Sequence, residues 1–164
     1  MARVYLSLGS NINREQNIRG ALHELHKLYG TLTISRVFES ESVGFEGDAF
    51  YNLAVGLDTD DDVLSINDTI HHIEDQFGRV RSGPRFSSRT LDIDLLLYDE
   101  LIIKQGKLEL PRDEITKNAF VLWPLAEIAP ELIHPVLGIS MHELWQQFDQ
   151  ASQTLYPVDF DSSI

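Results

Sequence analysis

The chain has 164 residues, 43% hydrophobic and 24% charged, with no cysteine and a formal net charge of −13. Such a composition is globular and long enough for a core without staples; it excludes a disulfide framework and thiolate chemistry. The acidic balance argues against non-specific binding to nucleic acid or anionic membranes, and no run of about 18 apolar residues offers a membrane span.

Residues 3–8, RVYLSL, read as a strand that Gly9-Ser10-Asn11 punctuates, and MARVYLSLGSN is too short an apolar run for a signal peptide. A helix follows, with Ile18, Ala21, Leu22, Leu25 and Leu28 at helical spacing and Gly30 as its stop. TLTISRVFES and FYNLAVGLD read as two strands paired antiparallel. Asp60, Asp61 and Asp62 mark the start of a second helix, whose stripe is Val63, Ile66, Ile70, Ile73 and Phe77 and whose end is Gly78. A further strand at 91–98 completes βαββαβ, so the expected fold is α+β, a ferredoxin-like antiparallel sheet with helices packed on it. LIIKQGKLEL adds a hairpin around Gln105-Gly106, KNAFVLWPLAEIAP a short helix ended by prolines, and MHELWQQF an amphipathic helix. No linker, repeat or low-complexity segment divides the chain, so one domain over 1–164 is expected, soluble, cytoplasmic and monomeric.

The stretch RFSSRTLDIDLLLYDE places two carboxylates inside an apolar strand. Alternation puts Leu91, Ile93, Leu95 and Leu97 on one face and Asp92, Asp94, Leu96 and Tyr98 on the other, with the two acids' Cα atoms about 6.6 Å apart. A solvated face is the commoner setting for two acids, but Leu96 and Tyr98 continue this one, which favours a cation site. Just upstream, QFGRVRSGPRFSSRTL holds Arg79, Arg81, Arg85 and Arg89 and no acid. A glycine-proline loop rich in arginine suits anion binding, and feeding straight into two aspartates it gives the clamp and metal that phosphoryl transfer needs.

No histidine-based metal motif, P-loop or dinucleotide fingerprint occurs. His71 and Glu74 share a helical face and read as a solvated pair. Asn52, inside a strand that looks buried, must find partners or read a ligand's edge. Phe86 and Phe120 are candidates to stack on a planar ligand, with core packing the stronger alternative for Phe120.

The segments LGSN at 8–11, YNLAV at 51–55, GRVRSGPRFSSRTLDIDLLLY at 78–98 and FVLWPLAEIAPEL at 120–132 resemble the 6-hydroxymethyl-7,8-dihydropterin pyrophosphokinase family of folate biosynthesis. The resemblance implies transfer of pyrophosphate from ATP to the pterin's hydroxymethyl oxygen, with AMP released and two magnesium ions on Asp92 and Asp94. It implies that Arg79 and Arg89 act on the phosphates, and that Glu74, His71, Arg81, Lys107 and Arg112 line the nucleotide. Asn52, Phe120, Phe86, Ser40 and Val43 fall to the pterin. The chain departs from the family's pattern at Arg85-Phe86-Ser87-Ser88-Arg89, at Arg112-Asp113, at His71 and at Ser40-Glu41. The changes at Arg112, Asp113 and His71 surround the nucleotide and are expected to raise the ATP requirement rather than alter the product. Two alternatives stand beside the active enzyme: a non-catalytic paralogue that binds nucleotide or pterin, and a metal phosphohydrolase resting on the acids and arginines alone.

Overall fold

A computed structural model describes residues 1–40, 49–78 and 91–163. Its central strand is β1 (Ala2–Ser10), buried along nearly its whole length because helices cover both faces of the sheet. β1 lies between β4 (Phe50–Thr59) and β5 (Asp92–Tyr98) and runs antiparallel to both. Beyond β4 stand β2 (Thr33–Ile34) and β3 (Val37–Ser40), and β8 (Leu155–Val158) closes that edge, giving the order β5-β1-β4-β3-β8 with β2 also on β4. With α1 (Arg14–Tyr29) and α2 (Val63–Gln76) this is the expected βαββαβ core.

TLTISRVFES forms two strands, not one, because Ser35 interrupts the ladder. Its N–H donates to the Ala54 carbonyl at 3.0 Å, while its hydroxyl accepts the Ala54 N–H at 2.8 Å in place of a backbone carbonyl. β8, in TLYPV, is an edge strand that the sequence reading did not anticipate.

One core lies between the sheet and α1 and α2. Val4, Leu6 and Leu8 of β1 meet Ile18, Ala21, Leu22 and Leu25 of α1 and Ile66, Ile70 and Ile73 of α2 there. Leu28, expected in the α1 stripe, is half exposed instead. Asp62 caps α2, accepting the Ser65 N–H at 2.8 Å. The helices approach closely at Gly20, where a Cβ would stand 2.4 Å from the Phe77 ring.

The second core lies on the opposite face, under α3 (Ala119–Ile128) and α4 (Met141–Gln147). α3 runs through Pro124 rather than ending at it. One helical hydrogen bond is lost there, but Val121, Leu122, Leu125 and Ala126 are all buried around it, and that apolar burial holds the helix. Between β5 and α3 come the expected hairpin, β6 (Ile103–Gln105) and β7 (Leu108–Leu110), and a 3-10 turn at Asp113–Thr116.

β5 departs from simple alternation. Leu6 pairs with Leu95 and Tyr5 with Leu97, so the register skips Leu96 and the strand bulges. Leu97 thereby joins Leu96 in the α3 core, and Tyr98 turns to the α1 and α2 side, contrary to the alternation expected from sequence.

Candidate active site

Register places the site. Gly9 of β1 opposes Asn52 of β4 on one side and Asp92 of β5 on the other, so three residues far apart in sequence form one row across three strands. Ser7 likewise stands between Ala54 and Asp94 in the next row on the same face. Directly opposed residues share a face, so Asn52, Asp92 and Asp94 look toward the α3 side of the sheet, at its Gly9 end. A side chain at Gly9 would obstruct this row, since its Cβ would lie 2.9 Å from Asn52 Oδ1. The glycine of LGSN is therefore required by its neighbour and not only by the turn after it.

Asn52 is buried, and its Nδ2 donates to Ser40 Oγ at 2.9 Å, so the two expected pterin-side residues on β4 and β3 do meet. Phe120, in the first turn of α3, is partly buried and packs against the α3 core on the same side of the sheet. It thus serves the core, as its alternative reading held, while bordering the face that carries Asn52.

At the other end of the row the acids gather. Asp94 lies beside Arg112, whose Nη2 is 3.3 Å from its Oδ1 and 3.3 Å from Glu114 Oε1. Burial, then the charge of Asp92, pushes the Asp94 carboxyl up to about 8; Arg112 opposes the rise, and Glu114 and Glu74 add to it. Among the described residues, then, Arg112 does not offset the burial of this carboxyl and the acids around it. Two hard oxygen donors on one face, in such a setting, suit a divalent cation of the magnesium type. Among the described residues, no group of three or more acids or histidines closes a metal cage. Water or substrate phosphate would then complete the coordination sphere, the usual habit of magnesium.

Glu74 corrects the sequence reading. It is 3% exposed, and its Oε2 accepts the N–H of Ile93, the peptide between the two aspartates, at 2.8 Å. α2 therefore holds the acid-bearing end of β5 through a carboxylate, while His71 stays on the exposed side of the helix; the two are not a solvated pair. Arg112 is anchored through its backbone, whose N–H donates at 3.0 Å to the carbonyl of Leu96, the bulged residue. Lys107 is exposed at the tip of the β6–β7 hairpin and makes no ion pair among the described residues. Arg79, Arg81, Arg85, Phe86, Arg89 and Val43 lie outside the described residues. Sequence reasoning missed Glu114 as a member of the acid cluster and Gly9 as the centre of the row. The LGSN motif carries a signal for Gly9, and no motif marks Glu114.

The fold agrees with comparisons to known proteins. The chain is 35% identical over 152 residues to the 2-amino-4-hydroxy-6-hydroxymethyldihydropteridine pyrophosphokinase of Haemophilus influenzae, covering 90% of this chain and 94% of that one. It is 38% identical over 138 residues to the Pseudomonas aeruginosa protein of the same name, covering 81% and 84%. The folic acid synthesis protein FOL1 of Dictyostelium discoideum is 38% identical over 146 residues, 86% of this chain but 22% of that much longer protein. A Plasmodium falciparum HPPK-DHPS triple mutant shares the fold, with a TM-score of 0.73 at 17% identity over 92% of this chain and 43% of that one. A sequence model matches residues 5–130, from β1 to just past α3, and by that match the chain belongs to the 7,8-dihydro-6-hydroxymethylpterin-pyrophosphokinase (HPPK) family.

Proposed function

We propose that this chain transfers the β,γ-pyrophosphoryl group of ATP to the hydroxymethyl oxygen of 6-hydroxymethyl-7,8-dihydropterin. AMP and the pterin diphosphate are the products, in folate biosynthesis. Family membership supports the reaction class. The observation that carries the reading to this chain is the row Asn52-Gly9-Asp92, which puts a buried amide suited to a heterocycle's edge on the same sheet face as the acid pair.

In this reading Asn52, steadied by Ser40, reads the donor and acceptor edge of the pterin, and Phe120 and Phe86 flank its ring. The hydroxymethyl group then points along the row toward Asp92 and Asp94. Two magnesium ions, held by Asp92 and Asp94, would neutralise charge on the β- and γ-phosphates. Arg79 and Arg89 offer charge-assisted hydrogen bonds to the transferring oxygens, while Arg81, Arg112, His71 and Lys107 form the nucleotide wall. Glu74 keeps the aspartate-bearing backbone in place. In-line alignment of hydroxyl and β-phosphorus does the rest, since the transfer asks for positioning and charge balance more than for covalent help. The enzyme is proposed to act as a soluble monomer in the cytoplasm. Nothing favours the non-catalytic alternative: both aspartates, and the four arginines of the preceding segment, are present. Chromatography of a reaction with ATP, magnesium and the reduced pterin alcohol should show AMP, and none when the pterin is omitted. ADP, or free phosphate formed without pterin, would refute the assignment.

A further inference from the structure

Arg112 is built into the acid cluster more firmly than a nucleotide-wall residue requires. Its backbone N–H is fixed at 3.0 Å to the bulged Leu96 of β5, two residues beyond Asp94. Its guanidinium bridges Asp94 Oδ1 and Glu114 Oε1, each at 3.3 Å from Nη2, and its Nε also stands 3.3 Å from the same Glu114 oxygen. A guanidinium cannot give up its charge, so this site holds a permanent cation beside an acid assigned to a metal.

We propose that Arg112 is a resident counter-cation that keeps a divalent ion weakly bound at Asp94 until nucleotide phosphates arrive. The inference rests on the proposed role of Asp92 and Asp94 as cation ligands. Cation and guanidinium compete for the same carboxylate oxygen and repel each other at this range, so magnesium alone meets a partly neutralised site. Glu114 supplies the second seat. When Asp94 turns to the cation, Arg112 keeps its Nε and Nη2 contacts to Glu114 and needs no backbone movement. A polyphosphate brings negative charge for both cations at once and relieves the conflict. Cation and nucleotide should therefore bind cooperatively, each tightening the other by the same factor.

Calorimetry on the full chain tests this without turnover, using magnesium chloride alone and magnesium with α,β-methylene-ATP. R112A and R112Q should each tighten magnesium alone by about tenfold and reduce the tightening conferred by the nucleotide analogue by about as much. R112K, which keeps the charge, should stay within about twofold of the original chain. The backbone anchor to Leu96 does not depend on the side chain, and circular dichroism verifies the fold of each variant. Unchanged or weaker magnesium binding in both neutral variants overturns the proposal. The AMP assay is independent of it: tightened magnesium with no AMP would sink the pyrophosphokinase reading and leave the role of Arg112 standing, and the reverse pattern would do the opposite.

Discussion

Gly9 shows how a residue without a side chain can fix the position of a polar neighbour. Its Cβ would press on Asn52 Oδ1 at 2.9 Å, and Asn52 cannot retreat freely because its other end is tied to Ser40. Gly9→Ala should therefore weaken the reduced pterin roughly tenfold, the scale of one misplaced buried hydrogen bond, and leave ATP affinity unchanged. Titration of each ligand separately checks this, and equal losses for both would place the damage in the fold instead. The acid pair was legible in the sequence because Asp92 and Asp94 violate a strand's apolar pattern. Glu74 was not: on a helical wheel it sits at the border of the Ile70, Ile73 and Phe77 stripe. The Ile93 N–H that reaches its carboxylate in the fold does not show on the wheel.

Elements were legible where period and punctuation agreed. β1, α1, β4, α2 and the β6–β7 hairpin follow the patterns read from sequence, and Asp62 caps α2 where the acidic run ends. The misses share a cause, which is partners supplied from elsewhere in the chain. Ser35 splits a strand because Ala54 needs an acceptor, Leu96 bulges where Arg112 takes its carbonyl, and β8 exists because β3 would otherwise be a bare edge. α3 outlasts Pro124 because Val121, Leu122, Leu125 and Ala126 around it are buried in the second core. Gly20 tests an element-level claim. The ring of Phe77, at the end of α2 and just ahead of the arginine-rich segment, occupies the space of its missing Cβ. Gly20→Ala should cost about 1–3 kcal/mol through overpacking, seen as a lowered melting temperature. An unchanged melting temperature would mean that α1 and α2 yield to the methyl group.

At the scale of the whole molecule, stability should carry the mark of one acid. Asp94 titrates near 8 when folded and in the ordinary carboxylate range when unfolded, so between those values the folded chain binds a proton that the unfolded chain has lost. Its contribution is full at acid pH and is lost as pH rises toward 8. Without a divalent cation, the melting temperature of the original chain should fall over that window relative to Asp94→Asn, and millimolar magnesium should close the gap most at high pH, where the carboxylate is ionised. Parallel curves for the two proteins would show that Asp94 is an ordinary acid. The general repulsion of a net charge of −13 changes by one unit at most in Asp94→Asn, so the difference between the two proteins reports chiefly on the single site.

The row through Gly9 is also a ruler. Two strand spacings separate Asn52 from Asp92, about 10 Å between their Cα atoms, and a hydrogen-bonded sheet neither stretches nor shortens that span. An acceptor gripped at its far edge by Asn52 must present its hydroxyl at one fixed distance. A pterin whose side chain is hydroxyethyl instead of hydroxymethyl should therefore bind nearly as well and yet turn over far more slowly, its oxygen carried past the β-phosphorus. Comparison of Kd with kcat for the two alcohols reads the length that β1 sets.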